Sequence, residues 1–365
     1  MNTPANTTAS TPSEALKGLP RFDLKQWHNT AGDAAERQTM AESLCQACHD
    51  VGFFLLTNHG IDSALIDAVF DLSRNFFDLP LADRKSIDKR ASRHFRGWES
   101  EGSEYTNGRP DIREQIDLWS EHEPRAKDAL PAYHRLLGPN QWPSEALVPG
   151  FESALNTWFR DMGQTADELM VVLATGLGLS PDHFDKAFGT ERMALTKLIR
   201  YPETPAGQFG VNAHHDAAFL TLLSPGTTPG LQIETAEGSW MDVPLVPGAL
   251  VVNLGEILQS ITGNYLLATP HRVITQTPRQ SAAYFHGPSL DMELAPIELP
   301  ARFVEAVANS PRHHGAGFMA RAEETDAGVG DMSSDHRPAV YGEQLWNYFC
   351  RSYPDNVEAH YPDDV

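Results

Sequence analysis

The feature that most constrains the fold is a change of pattern at about Met193. From there to residue 300, short apolar or alternating runs such as FLTLLSP, GLQIETAEG and SAAYFHGPS are separated by clusters of Gly, Pro and Thr. Short apolar runs bounded by turn residues are typical of strands in antiparallel sheets. The pattern therefore predicts a sandwich, a barrel or a jelly roll in this half of the chain.

The chain before Met193 has a mostly helical pattern. RFDLKQW predicts a short edge strand, AAERQTMAESLCQACHDVG a helix ending at Gly52, and GFFLLTNHGID a strand and a turn. SALIDAVFDLSRNFFDLP predicts a helix with Ser63 as its N-cap, and a long helix follows from Phe151. After that helix, Ser180 is expected to cap the next one.

We expect one continuous structural unit, because no linker-like stretch interrupts the chain. Residues 84–149 are rich in Gly, Pro and charge, and are interpreted as loop with short helices. The expected parts are a disordered arm (1–19), an N-terminal region of helices and a strand (20–150), helices packing on the barrel (151–192), the β core (193–300), and a C-terminal loop and helix (301–365).

The charge balance limits the partners. Asp and Glu outnumber Lys and Arg by 49 to 28, so the formal charge is −21. Nucleic acid and anionic membranes repel such a surface, and neither is an expected partner. No apolar run approaches the roughly 20 residues of a membrane helix, and the N-terminus lacks the features of a secretory signal.

Cysteine usage gives a further indication. The chain has three cysteines, and Cys45 and Cys48 form a C-x-x-C inside a helical pattern without a second pair. We therefore expect both to be packing residues and not zinc ligands. Few cysteines, together with the absence of a signal, favour a cytoplasmic location.

The stretch VNAHHDAAFL (residues 211–220) carries a candidate metal site. In an extended strand His214 and Asp216 share one face, and His215 points to the other. His271, in LLATPHRVITQ, is the next histidine downstream. Two histidines and one carboxylate are the ligand set of non-haem Fe(II) oxygenases, which leaves positions open for substrate and O2. A structural zinc site usually needs four ligands including thiolates, and residues 193–300 contain no cysteine.

A second pair follows in RQS. Arg279 and Ser281 are two residues apart, so on a strand they share a face. An arginine beside a hydroxyl is suited to hold a carboxylate through charge-assisted hydrogen bonds. Close to an Fe(II) ion, this pair would suit the distal carboxylate of a 2-oxoacid whose other end chelates the metal.

Several ordered motifs resemble those of one family. GFFLLTNHGI, FFDLP and RGW in the N-terminal part, and AHHDAAFLTLL, PGLQI, NLGEILQSITGNYLLATPHRV and RQSAAYFHGP in the catalytic half, are similar to the isopenicillin N synthase-like family of Fe(II)- and 2-oxoglutarate-dependent oxygenases. The likeness covers nearly all of residues 20–288. RGWESEGSEYTNGRPDIREQIDLW and YGEQLWNYFCRSYP also resemble bacterial and fungal members near the ethylene-forming enzymes.

The resemblance implies the fold and the site residues. The fold would be a distorted jelly roll (double-stranded β-helix) with helices around it. His214, Asp216 and His271 would bind Fe(II), while Arg279 and Ser281 would hold 2-oxoglutarate. Tyr201, in LIRYP, matches a position whose hydroxyl often contacts the same co-substrate.

The reaction implied is the oxidation of an unactivated C–H bond of a small-molecule substrate with O2, which releases succinate and CO2. Hydroxylation is the default outcome; desaturation, ring closure and ring expansion stay open. One alternative is an oxidase that uses no 2-oxoglutarate, with Arg279 and Ser281 holding the substrate's carboxylate. Another is a non-catalytic barrel that binds a small acid. Residues 96–116, the segment after Pro288 and Asn212 are expected near the substrate.

Overall fold

The computed structural model describes residues 18–106, 108–314 and 339–362. The arm expected over residues 1–19 therefore lies almost wholly outside the described residues, as does much of the loop expected after residue 301. The helices are α1 (Leu24–Asn29), α2 (Ala34–Asp50), α3 (Ser63–Phe77), α4 (Leu81–Arg84), α5 (Phe151–Gly176), α6 (Glu256–Ile261), α7 (Ala301–Ala308), α8 (Pro311–His314), α9 (Tyr341–Ser352) and α10 (Pro354–His360).

Most of the strands form two sheets. The strands are β1 (Arg21–Asp23), β2 (Phe53–Thr57), β3 (Gly97–Glu99), β4 (Tyr105–Thr106), β5 (Arg109–Pro110), β6 (Glu114–Trp119), β7 (Leu195–Tyr201), β8 (Val211–His214), β9 (Leu220–Ser224), β10 (Leu231–Glu234), β11 (Trp240–Asp242), β12 (Leu250–Leu254), β13 (His271–Val273) and β14 (Arg279–His286). One sheet has eight strands in the order β1-β2-β12-β9-β14-β7-β6-β3, and the other has four in the order β11-β10-β13-β8. This is the predicted jelly roll: mainly β, with helices around it.

An apolar interior joins the two sheets. Its buried side chains come from both, among them Phe53, Ile199 and Val251 from the larger sheet and Val211 and Val273 from the smaller. The larger sheet's other face packs against the helices, with the long helix α5 as their centre. Central strands of the larger sheet such as β2 and β12 are therefore covered on both faces, which explains their continuous apolar runs.

Residues 84–149 contain the short helices predicted for a segment that is mostly loop, but the structure adds strands that the sequence did not predict. This segment contributes β3 and β6 to the larger sheet, where β6 pairs with β7 over its whole length. All six residues of β6 (EQIDLW) are buried, although half of them are polar. The charged side chains concealed the strand in the sequence, because they are neutralised by partners that lie far away along the chain.

Two helix starts also differ from the expectation. The N-cap of α3 is Asp62, whose carboxylate accepts from the backbone N–H of Ala64, and not Ser63. After Ser180 the chain forms turns and a short 3-10 helix (Asp185–Phe188) in place of an α-helix. At Ser180 the hydroxyl donates to Asp182 instead of capping a helix.

Cys45 and Cys48 are buried in the core, as expected for packing residues. Burial raises the pKa of the Cys45 thiol to about 12. Among the described helices, none combines the length and the apolar character that crossing a bilayer requires.

Gly52, directly before β2, packs closely against the segment that precedes β13, and this contact can be tested. Its φ is +71°, and a Cβ at this position would lie 2.1 Å from the carbonyl oxygen of Leu267 and 2.7 Å from the hydroxyl of Thr269. Gly60 has a similar φ of +80°, but no described atom lies within 4 Å of its Cβ position. Substitution at Gly60 therefore introduces backbone strain alone, whereas substitution at Gly52 introduces backbone strain and a steric collision.

We expect Gly60→Ala to lower the free energy of unfolding by about 1 kcal/mol, through backbone strain alone. Gly52→Ala should cost about 1–3 kcal/mol more, because it also forces two segments apart. Urea unfolding of both variants measures the difference. Equal losses would contradict the close approach at Gly52.

Candidate active site

Three side chains with metal-ligating atoms converge at one end of the smaller sheet. His214 ends β8, His271 begins β13, and the two are cross-strand partners with ring centroids 4.3 Å apart. Asp216 lies just after β8. One ligand atom from each residue lies within 4.8 Å of the others, and no other such cluster occurs in the described part of the chain.

The two oxygens of Asp216 have different surroundings. Oδ2 accepts hydrogen bonds from the Thr221 hydroxyl at 2.5 Å and from Nδ2 of Asn253 at 2.7 Å. Oδ1 lies 3.6 Å from Nε2 of His214 and 3.5 Å from Nε2 of His271. The strands β9 and β12 thus fix one oxygen and leave the other facing the histidines.

Backbone carbonyls orient both histidines. Nδ1 of His214 lies 2.8 Å from the carbonyl oxygen of Asn212, and Nδ1 of His271 lies 3.2 Å from that of Thr269. A carbonyl only accepts, so each Nδ1 is the protonated donor. In the neutral ring, Nε2 is then left with a lone pair directed at Asp216, as a metal ligand requires.

The electrostatics keep Asp216 ionised. Burial on its own raises the pKa of this carboxyl, but the nearby His271 and His214 outweigh burial and hold the pKa well below its usual range. For His271, burial favours the neutral ring, but Asp216 outweighs it and raises the pKa. Two imidazole nitrogens and one carboxylate oxygen, open on one side, are a donor set that fits Fe(II).

His215 lies outside this triad, as the alternation of side chains predicts. Its Nδ1 is 3.7 Å from Oε1 of Glu256. The strand ends at His214, two residues before Asp216, so Asp216 reaches the site from a loop and not from the extended strand that the sequence predicted.

Arg279, Ser281 and Tyr201 meet inside the barrel on β14 and β7. Arg279 pairs with Tyr201 across the strands, and its Cζ is 5.1 Å from the tyrosine ring centroid. All three are at most 3% exposed. Nε of Arg279 donates to the carbonyl of Thr228, but Nη1 and the Ser281 hydroxyl have no hydrogen-bond partner among the described residues. Two unpartnered buried donors beside each other fit a carboxylate.

A pocket of about 190 Å³ opens beside the triad and is lined by His214, Asp216, two aromatic side chains of α9 (Tyr348 and Phe349) and residues of the larger sheet. Of the segment expected near the substrate, Glu104, Tyr105, Thr106 and Arg113 line it. Arg96 does not: it is fully buried and donates to the backbone carbonyls of Ser120, Leu136 and Gly138.

Sequence reasoning missed further lining residues. Among them are Lys89, Asp117, Lys197 and Gln344, from a 3-10 helix, β6, β7 and α9. No local motif marks them, because only the tertiary fold brings them to one pocket. The available signal was at Lys197, a charged residue inside the apolar run MALTKLIRYP.

Two family models match the chain. Residues 19–145 match the model of the non-haem dioxygenase in morphine synthesis N-terminal region, and residues 191–288 match that of the 2OG-Fe(II) oxygenase superfamily. The second span contains the triad and the Arg279 cluster.

Individual relatives agree with the models. The chain is 32% identical over 296 residues to a 2-oxoglutarate-dependent dioxygenase of Dothideomycetidae sp., covering 78% of each. It is 28% identical over 298 residues to a homoarginine-6-hydroxylase of Arabidopsis thaliana, covering 78% of this chain and 89% of the relative. The crystal structure of Neurospora crassa T7H with alpha-KG shares the fold, with a TM-score of 0.71, 23% identity, and coverage of 93% and 98%. The narrower likeness to ethylene-forming enzymes stays a prediction.

The support of Asp216 can be tested without knowing the substrate. Thr221→Val removes one donor to Oδ2 and preserves the side-chain shape. We expect Fe(II) affinity, measured by anaerobic titration, to fall by about tenfold, as is usual when a ligand loses its orienting partner.

Thr196→Val is the matched control. The Thr196 hydroxyl is fully buried and has no partner among the described residues, so its loss should leave metal affinity unchanged. Equal Fe(II) affinity in the two variants would show that Thr221 does not orient the carboxylate.

Proposed function

Because this chain belongs to the 2OG-Fe(II) oxygenase superfamily, we propose that His214, Asp216 and His271 bind its Fe(II) ion. The chain is an Fe(II)- and 2-oxoglutarate-dependent dioxygenase. The ligand atoms would be Nε2 of each histidine and Oδ1 of the aspartate. The observation that carries the proposal is the convergence of these atoms within 4.8 Å of one another.

Arg279, Ser281 and Tyr201 form the proposed 2-oxoglutarate site. The Arg279 guanidinium and the Ser281 hydroxyl would hold the distal carboxylate, and the Tyr201 hydroxyl would complete the contact. Burial lowers the pKa of Arg279, while the nearby Tyr201 partly offsets this. Burial separates the Arg279 guanidinium from water. A carboxylate at this position would accept the hydrogen bonds that water accepts from an exposed arginine.

Fe(II), 2-oxoglutarate and O2 together supply the oxidation of a C–H bond, with release of succinate and CO2. The chain's own residues position this chemistry. Thr221 and Asn253 orient Asp216, and the rings of Phe53 and His271 pack in a T-shaped arrangement, with 5.4 Å between centroids. The apolar interior between the sheets excludes water from the oxidant.

The family favours this function over the two alternatives. An oxidase without 2-oxoglutarate would use Arg279 and Ser281 for its substrate's carboxylate, and a binding barrel would need no metal. We propose a small-molecule substrate in the pocket of about 190 Å³. The homoarginine-6-hydroxylase relative indicates the scale of such a molecule, and the acidic chain disfavours nucleic acid.

The experiment is anaerobic loading with Fe(II), followed by 2-oxoglutarate and a search for the weak visible charge-transfer band of an Fe(II)–2-oxoacid chelate. The wild-type protein should give the band. Arg279→Ala should weaken 2-oxoglutarate binding by about 30–100-fold, the equivalent of about 2–3 kcal/mol for a charge-assisted contact.

Arg272→Ala is the control, because Arg272 lies on β13 but stacks on Trp240 outside the pocket, with its Cζ 4.1 Å from the ring centroid. It should retain the wild-type band. Bound iron without a band in the wild-type protein would overturn the 2-oxoglutarate assignment and favour the oxidase alternative.

A further inference from the structure

A buried network of charges forms one wall of the pocket. Lys89 donates to Glu99 at 2.7 Å, to Asp117 at 2.8 Å and to the Tyr353 hydroxyl at 2.8 Å, which uses all three of its protons. Lys197 lies 3.1 Å from Glu104 and 3.3 Å from Asp117. Both ammonium groups are therefore already engaged by carboxylates.

The network is completed by Arg113. Its guanidinium lies 2.6 Å from Glu104 and 3.1 Å from Asp111. Burial opposes the charged forms, but the opposite charges outweigh it: they raise the pKa of Arg113 and Lys197 and lower that of Glu104. These shifts favour the charged forms of Arg113, Lys197 and Glu104.

The charges of this network do not balance. Three cations, Lys89, Arg113 and Lys197, face four carboxylates, Glu99, Glu104, Asp111 and Asp117, in the described part of the chain. The loaded metal centre does not correct this, since Fe(II) with Asp216 and 2-oxoglutarate with Arg279 together carry no net charge. One negative charge is left over beside the pocket.

Two buried oxygens in the pocket wall have no partner. Oδ2 of Asp117 receives both lysines, whereas its Oδ1 has no hydrogen-bond partner among residues 18–106, 108–314 and 339–362. The same holds for Oε1 of Gln344 on α9. Asp117 is 2% exposed and Gln344 7%, and both line the pocket. An unpartnered buried acceptor is costly unless a ligand supplies the donor.

We propose that this pocket selects substrates with a cationic nitrogen, an ammonium, amidinium or guanidinium group, which donates to Asp117 and Gln344. The proposal rests on the proposed function, because it assigns the substrate of the same site. Trp119, Tyr348 and Phe349 also line the pocket, and aromatic rings are compatible with a cationic ligand. The volume of about 190 Å³ suits a compact molecule.

An anionic group is the competing occupant. Nε of Arg113 and Nε1 of Trp119 are donors without a partner among the described residues. The indole is neutral, however, and the Arg113 guanidinium already contacts two carboxylates. A substrate carboxylate would add to a negative surplus, whereas a cation removes it.

The test compares probes of matched shape on the protein loaded anaerobically with Fe(II) and 2-oxoglutarate. The probes are n-butylguanidinium against n-butylurea, n-pentylammonium against pentan-1-ol, and hexanoate as the anion. Perturbation of the charge-transfer band gives a dissociation constant for each. We expect each cation to bind at least about tenfold more tightly than its neutral partner, or about 1.4 kcal/mol.

Two variants test whether Asp117 and Gln344 cause the preference for cations. Asp117→Asn removes the charge and should reduce the preference to about threefold or less. Gln344→Met should also weaken it, and it leaves the ion network intact if Asp117→Asn disturbs folding. Gln46→Met, at an exposed position of α2, is the control and should behave as the wild-type protein does.

Each outcome decides one proposal. A preference for cations that Asp117→Asn abolishes supports the inference. Equal binding within each pair, a preference for hexanoate, or no response to any probe while the 2-oxoglutarate band is intact overturns the inference and leaves the proposed function standing. Absence of the charge-transfer band from the wild-type protein loaded with Fe(II) and 2-oxoglutarate overturns the proposed function.

Discussion

The arrangement of the site depends on one cross-strand pair, His214 on β8 and His271 on β13. Antiparallel pairing brings the two imidazoles together from positions 57 residues apart, numbered 214 and 271. The carbonyls two residues before each histidine then fix its ring, and Thr221 and Asn253 fix the carboxylate between them. The larger sheet thus orients a site whose histidines belong to the smaller one.

The pocket wall illustrates a second constraint, the cost of buried charge. Lys89, Asp117 and Arg113 are each at most 8% exposed, and a network of this kind is stabilising only if nearly every group has a partner. Most of them have one. Among the described residues, exceptions are Nε of Arg113 and Oδ1 of Asp117, both on residues that line the pocket. A fold that keeps unpartnered acceptors on Asp117 and Gln344 in the pocket wall, next to surplus negative charge, is better suited to binding a ligand than to stability alone.

The sequence predicted the parts of the site that follow from local pattern. Strand alternation separated His214 and Asp216 from His215, and the R-x-S spacing put Arg279 and Ser281 on one face. It failed where long-range partners decide the structure. β6 was interpreted as loop because its charged residues are neutralised by Lys89, Lys197 and Arg200, which lie on other elements. Lys89 and Gln344 were not predicted as pocket residues, because only the tertiary fold brings them to the pocket.

The most direct test of the account is an anaerobic crystal structure with Mn(II), as a redox-silent substitute for Fe(II), and 2-oxoglutarate. The account predicts an anomalous peak about 2.0–2.3 Å from Nε2 of His214, Nε2 of His271 and Oδ1 of Asp216. It also predicts the distal carboxylate of 2-oxoglutarate on Arg279 and Ser281. A metal bound through His215 or through Oδ2 of Asp216, or a co-substrate away from Arg279, would contradict it.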